Sequence, residues 1–217
     1  MAIDQLDEYE QGEKVRSWLR DNGSSLLTGV ILGLALILGW QWWQGRGHRQ
    51  KEDAAAQYTA LTDAIAAKDE AKVKAFSAVI DEKYADSPFA PLARMRQAKY
   101  LQASGKSDAA IDLLRKAPVP ADPALAELQL LRLSRLQLVA GKSADALKTV
   151  ASITDPLFPA GLAELRGDIH LASGKREEAR KAYEQALTTL DEAAPVRRIV
   201  VLKLIEAGGQ APTRPEA

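Results

Sequence analysis

The chain has no cysteine, and its 217 residues include only two histidines, His48 and His170. A disulfide framework is excluded, and a zinc site cannot be assembled from cysteine and histidine. H-E-x-x-H is absent, as is G-x-S-x-G, and neither histidine has a recognisable triad context. An excess of one charge sign is also missing, with 29 basic against 29 acidic residues. No strong basic field exists to attract a polyanion, so nucleic acid is not an expected partner. The adjacent carboxylates Asp81-Glu82 and Glu177-Glu178 do not face each other on a helix, and they read as solvated faces. No catalytic residue, metal or cofactor is therefore expected, and the chain does not read as an enzyme. Zero cysteine suits a bacterial periplasm without excluding the cytosol.

Two fragments imitate a phosphate-binding loop, Gly105-Lys106-Ser107 and Gly141-Lys142-Ser143. That loop needs another glycine five residues before its last one, where this chain has Tyr100 and Leu136. The fragments also fall between helical patterns rather than between a strand and a helix. They read as turns of a repeat.

Long hydrophobic runs are absent except for one. From Asn22 to Gln44 no side chain is charged. The apolar stretch Leu26–Trp43 makes a helix about 27 Å long, close to the roughly 30 Å of a bilayer hydrocarbon core. It has no polar stripe, unlike a core helix, and it outruns a signal-peptide core of about 7 to 15 residues. A transmembrane helix over 24–45 is expected. Trp18 at one end and Trp40, Trp42 and Trp43 at the other suit the two headgroup levels. Gly29 and Gly33 form a G-x-x-x-G, which lets a second helix pack closely in lipid.

Charge leaves the orientation open. Lys14, Arg16 and Arg20 precede the span, and Arg46, Arg49 and Lys51 follow it, a tie under the positive-inside rule. The arm over 1–23 begins acidic, with Asp4, Asp7, Glu8, Glu10 and Glu13 and no Lys or Arg before Lys14. It reads as solvated, with 14–19 lying on the membrane surface and Asn22-Gly23 breaking the helix before the span. Whether the helix continues past Gly45 and Gly47 as a stalk or breaks there is open.

The remainder is periodic. Gly105-Lys106, Gly141-Lys142 and Gly174-Lys175 recur 36 and 33 residues apart. A small residue stands seven positions before each glycine (Ala98, Ser134, Gly167) and an alanine five after (Ala110, Ala146, Ala179). A bulky residue follows at nine after (Leu114, Val150, Tyr183), filling space against a neighbouring repeat. This is the grammar of tetratricopeptide-like helix pairs with glycine in the turn. Pairs are expected at 91–120, 125–155 and 160–192, with starts at Ser87-Pro88, Asp122-Pro123 and Asp155-Pro156. A closing helix runs from Val196 to Ala207, and a divergent pair occupies 52–68 and 71–83. The fold class is all-α: one N-terminal transmembrane helix, then a helical-repeat solenoid over 46–207 and a flexible tail at 208–217.

Such a solenoid has a concave surface that binds polypeptides. The first helix of each pair lines it in the tetratricopeptide pattern. Lys99, Arg135 and Asp168 then fall at equivalent groove positions, with Gln102 and Glu164 nearby. His170 reads as a packed or partly exposed helix residue rather than a ligand.

The whole chain resembles the YfgM family of Gram-negative bacteria, ancillary subunits of the SecYEG translocon. The residues that carry the likeness are Asn22-Gly23, Gly29-Val30-Ile31-Leu32-Gly33, and Gly39-Trp40 with Trp43. It continues at Leu165-Arg166-Gly167 and from Ser173-Gly174-Lys175 to Ala179-Arg180. The resemblance implies a single-span inner-membrane protein with a cytoplasmic N-terminus and a periplasmic repeat domain. It implies the SecYEG translocon and the membrane-anchored periplasmic chaperone PpiD as partners, with hand-over of exported client proteins as the role. Membrane lipid is a partner through the span. The alternative function is a membrane-anchored scaffold for another envelope assembly.

Overall fold

The computed structural model describes the backbone of residues 2–211, with the side chains of residue 13, 15–41 and 49–211. The expected tail beyond Ala211, the acidic side chains before Glu13, and Trp42 and Trp43 at an interface lie outside the described residues. Two compact units divide the chain, one up to Asp53 and one from Ala54 onward.

The first unit is part of helix α1, Ala2–Ala66. Within α1 the segment Val15–Gln41 is long and apolar enough to cross a membrane, and none of it is buried. A core helix of this length would be covered. Asn22-Gly23 does not break it. A glycine in a helix costs only about 1 kcal/mol relative to alanine, and the Asn22 side-chain amide donates back to the Trp18 carbonyl at 3.1 Å. Thr28 likewise donates to the Ser24 carbonyl at 2.8 Å. Such internal bonds satisfy the polar side chains that lipid cannot solvate. The backbone is also helical at Gly45 and Gly47, so of the two readings there the helical one is taken.

The second unit holds the end of α1 and the pairs that the glycine spacing places. These are α2 Glu70–Lys83, α3 Phe89–Ala103 with α4 Ser107–Lys116, α5 Pro123–Val139 with α6 Ser143–Ala151, and α7 Pro159–Ala172 with α8 Arg176–Thr189. Helix α9, Pro195–Glu206, closes the series. No strand occurs among the described residues. Asp122 caps α5 by accepting from the amides of Ala124 and Leu125 at 2.8 and 3.1 Å. Two expected starts differ. Helix α3 begins at Phe89 with Pro88 at the cap and no capping bond from Ser87. Helix α7 begins at Pro159, not at Pro156, and Phe158 before it offers no capping side chain of its own.

Each pair turns through one motif. The Gly105 amide donates to the Gln102 carbonyl and the Lys106 amide to the Leu101 carbonyl, at 3.0 and 2.8 Å. The same two bonds recur at Gly141 and Gly174, whose φ values are +75° and +73°. This is the Schellman stop, which needs a left-handed residue after the cap. The divergent first pair makes it with Lys68, the one non-glycine residue with positive φ among those described, at +56°. A left-handed conformation costs a side-chain-bearing residue roughly 1–2 kcal/mol. Lys68→Gly is therefore expected to stabilise the domain by about 0.5–1 kcal/mol, after the extra freedom glycine gains in the unfolded chain. A urea midpoint that rises at constant slope is the measurement that checks it.

At two of the three Gly-Lys turns the lysine also links neighbouring pairs. Lys106 reaches Glu70 at 2.5 Å and Lys142 reaches Asp108 at 2.6 Å, each bridging to the first turn of the preceding pair's second helix. The bridges hold Glu70 and Asp108 below the usual carboxylate range, chiefly through the lysine hydrogen bond.

Apolar packing runs along the second unit as four successive clusters, centred on Leu61 and Ile80, Ile111 and Leu136, Val150 and Leu165, and Tyr183 and Val200. Ala98, Ser134 and Gly167 are the close-approach points. Ser134 is fully buried and donates to the Ala146 carbonyl at 3.0 Å. At Gly167 the ring of Tyr183 lies so near that an added Cβ would stand 2.3 Å from it. In the last pair the bulky +9 side chain, Tyr183, thus packs against its own pair's small residue and also joins the cluster that holds Val200 and Leu204 of α9.

Candidate functional site

Three helices of the second unit face one concave groove of ≈ 720 Å³. Helix α3 gives it one face, Leu92, Met95, Arg96, Lys99, Tyr100 and Ala103. The spacing of three and four residues is what puts side chains on one side of a helix. Helix α5 contributes Leu128, Arg132 and Arg135, and the end of α1 contributes Tyr58 and Ile65, with Lys68 in the following turn. The lining is apolar and basic: five cations and no carboxylate.

Several cations elsewhere in the unit are engaged. Arg94 pairs with Asp81 at 2.8 Å, Arg180 with Glu177 at 2.8 Å, and Arg197 donates to the Leu187 and Leu190 carbonyls. Among the described contacts none of the groove cations meets a carboxylate. Arg96 lies over the Tyr58 ring at 5.6 Å, a cation–π placement that fixes it at the groove wall. Arg132 is half-buried. Burial first, and the charges of Arg135 and Arg96 second, hold its guanidinium below its ordinary value. The groove is a field of like charge over an apolar floor.

The sequence-predicted groove positions separate into two groups. Lys99 and Arg135 line the groove. Gln102 is half-buried on α3 outside its lining. Glu164 and Asp168 belong to another cluster. Lys203 of α9 reaches Glu164 at 2.7 Å and Asp168 at 2.8 Å, and the Tyr183 hydroxyl donates to the other Asp168 oxygen at 2.8 Å. The closing helix thus occupies the two carboxylates. Arg96 and Arg132 were missed, although their signal was available: they repeat at the 36-residue spacing of the glycines, one turn before Lys99 and Arg135. Gly29 and Gly33 have nothing of this chain within 4 Å of an added Cβ. His170 is half-buried, and desolvation lowers its affinity for a proton. Among the described residues no cluster of His, Asp and Glu is placed to hold a metal ion.

The Lys203 cluster sets an alkaline limit. Burial by itself lowers the Lys203 ammonium, but the bonds to Asp168 and Glu164 outweigh it and the net shift is upward from 10.5. Burial and the bond to Asp168 raise the Tyr183 hydroxyl from 10.0. In both cases the folded state holds its proton more tightly than the unfolded chain. The stabilisation is full below about pH 10 and is lost as pH rises through the folded values. Thermal melts should fall steeply above that pH, and Lys203→Met should flatten part of the decline.

The sequence matches the family described as tetratricopeptide repeat-like domain over residues 16–209. A Haemophilus influenzae protein named "Ancillary SecYEG translocon subunit" is 29% identical over 184 residues, covering 83% of this chain and 89% of that protein. An Escherichia coli protein of the same name is 30% identical over 182 residues, covering 82% and 86%. No solved structure matches the chain.

Proposed function

The chain belongs to the tetratricopeptide repeat-like family and, with these relatives, to the ancillary SecYEG translocon subunits, and from that premise we propose that it works as a non-enzymatic adaptor at the translocon. The N-terminus faces the cytoplasm and the repeat domain the periplasm of an inner membrane. The span docks in the bilayer through its Gly29/Gly33 face, where no atom of its own chain stands in the way of another helix. The solenoid engages a periplasmic chaperone of the PpiD kind and assists hand-over of exported clients. The observation that carries the reading is one chain holding both a wholly uncovered apolar helix and a concave groove on its repeat domain.

Photocrosslinking in the native membrane tests it, with reactive residues at Gly29, Gly33, Lys99 and Arg135. Translocon subunits are expected at the span positions, and a chaperone or exported chains at the groove. Adducts to a different envelope assembly at all four positions would replace the adaptor with the scaffold alternative. Protease added outside spheroplasts should digest the repeat domain and spare the N-terminal arm. The reverse pattern would invert the orientation.

A further inference from the structure

The geometry points to the groove between α1, α3 and α5 as a site for an acidic peptide segment that also carries an apolar side chain. The inference rests on the adaptor reading for its context and specifies the partner's chemistry.

Lys68, Arg96, Lys99, Arg132 and Arg135 line one concavity, and no carboxylate lines it with them. Helices place like charges together only at a cost, since their mutual repulsion destabilises the compact chain. That cost shows in Arg132, whose charged form is disfavoured by burial and by its arginine neighbours. The same chain readily pairs cations where pairing serves the fold, as at Lys106–Glu70, Lys142–Asp108 and Lys203–Glu164. The groove cations have no such fold partner, so their complement comes from outside. Arginine dominates the set, and its planar fork donates to a carboxylate in a bidentate manner.

Between the cations the floor is apolar. Met95 is nearly covered, and Leu92, Leu128 and Tyr58 are half-buried around it. A purely polyanionic ligand would leave this floor wet, whereas a leucine or phenylalanine flanked by carboxylates fills both parts. A lipid surface fits less well, because a bilayer face cannot enter a concave groove. A helix or extended strand of another protein can, and first-helix surfaces of a repeat stack are shaped to hold one.

The test uses the full chain in neutral detergent and three fluorescent peptides. One alternates glutamate with leucine and phenylalanine, a second replaces glutamate by lysine, and a third keeps glutamate but replaces the apolar residues by serine. The first is expected to bind with an affinity that falls as salt rises. The second should not bind, and the third should bind at least tenfold more weakly. Lys99→Glu with Arg135→Glu, both at exposed sites, should weaken the first peptide by tenfold or more. Lys148→Glu with Lys181→Glu, the same charge change outside the groove, should not. Arg132→Met separately tests the half-buried cation. Thermal melts of every variant establish that the fold survives, and the groove variants should melt no lower than the parent.

Equal binding of all three peptides, or equal loss with the outer control variants, overturns the inference. So does a water-soluble short-chain phosphatidylglycerol that binds in a Lys99- and Arg135-dependent way where the acidic peptide does not, since the site would then be a headgroup site. Co-purification of the translocon is scored on the same preparations. If it persists while the acidic peptide fails, the groove assignment alone is lost. If it is absent while the peptide binds, the adaptor reading is lost and the groove assignment stands.

Discussion

Gly167→Ala is expected to destabilise the repeat domain by about 3 kcal/mol, which for a domain of this size lowers the melting temperature by roughly 6–12 °C. The sign is the informative part. Replacing a mid-helix glycine by alanine ordinarily gains up to about 1 kcal/mol, because alanine loses less backbone freedom. Here the new Cβ would stand 2.3 Å from a ring carbon of Tyr183, a contact no real Cβ makes. Tyr183 cannot yield cheaply. It is fully buried, and its hydroxyl is bonded to Asp168, which is itself held by Lys203. Gly161 supplies the internal control: it lies on the same helix with nothing within 4 Å, so Gly161→Ala should be neutral or stabilising. The α3–α4 pair suggests the rescue. It fills the equivalent positions with Ala98 and Leu114, both buried. Gly167→Ala combined with Tyr183→Leu should cost at least 1 kcal/mol less than the sum of the single changes. Additive effects would mean that the glycine is small for a reason other than the tyrosine.

The same residues show why so much of the fold was legible. Gly105, Gly141 and Gly174 each carry a positive φ that few other residues adopt, so their spacing reported the repeat directly. Small and bulky residues alternate around them because paired helices can approach only where one side is small. Local chemistry of this kind is written into short stretches of sequence. The apolar run from Leu26 was legible for the same reason, since a wholly uncovered helix is apolar on every face.

What escaped depends on contacts between distant residues. Lys68 stands where the repeat grammar demands glycine, so the first turn looked divergent although its hydrogen bonds match the others. Asp168 aligned with Lys99 and Arg135 by spacing, yet α9 brings Lys203 onto it from 35 positions away. Nothing in the α7 sequence announces that. The groove was half visible: two of its cations were named, and their partners one turn earlier repeat at the same interval. Tyr58 and Ile65 lie in the divergent pair's first helix; the helix was legible, but not that it lines the same groove as α3 and α5.

The start of α7 is the clearest instance of a distant determinant, and Glu127→Ala is expected to cost the domain about 2 kcal/mol. Asp155-Pro156 has the composition of a helix start, but the helix begins three residues later. The two residues just before it are anchored from another helix. Glu127 of α5 accepts from the Leu157 amide at 2.6 Å and from the Phe158 amide at 3.0 Å. The carboxylate is buried, with 5% of the residue exposed, and it sits where the N-terminal dipole favours negative charge. Removing it strands two amide donors, each at roughly 1–3 kcal/mol when water is excluded. Leu157 and Phe158 are themselves partly exposed, so water would recover some of that, and the total settles near the lower end. Glu127→Gln retains one acceptor oxygen and should cost about half as much. Urea denaturation gives the magnitudes, and hydrogen exchange gives the location. The Leu157 and Phe158 amides should lose protection in both variants, while those of Ala124 and Leu125, backbone neighbours capped by Asp122, should keep it. Unchanged exchange at Leu157 and Phe158 in the alanine variant would show that the register of α7 is set by Pro159 alone, not by the carboxylate 30 residues upstream.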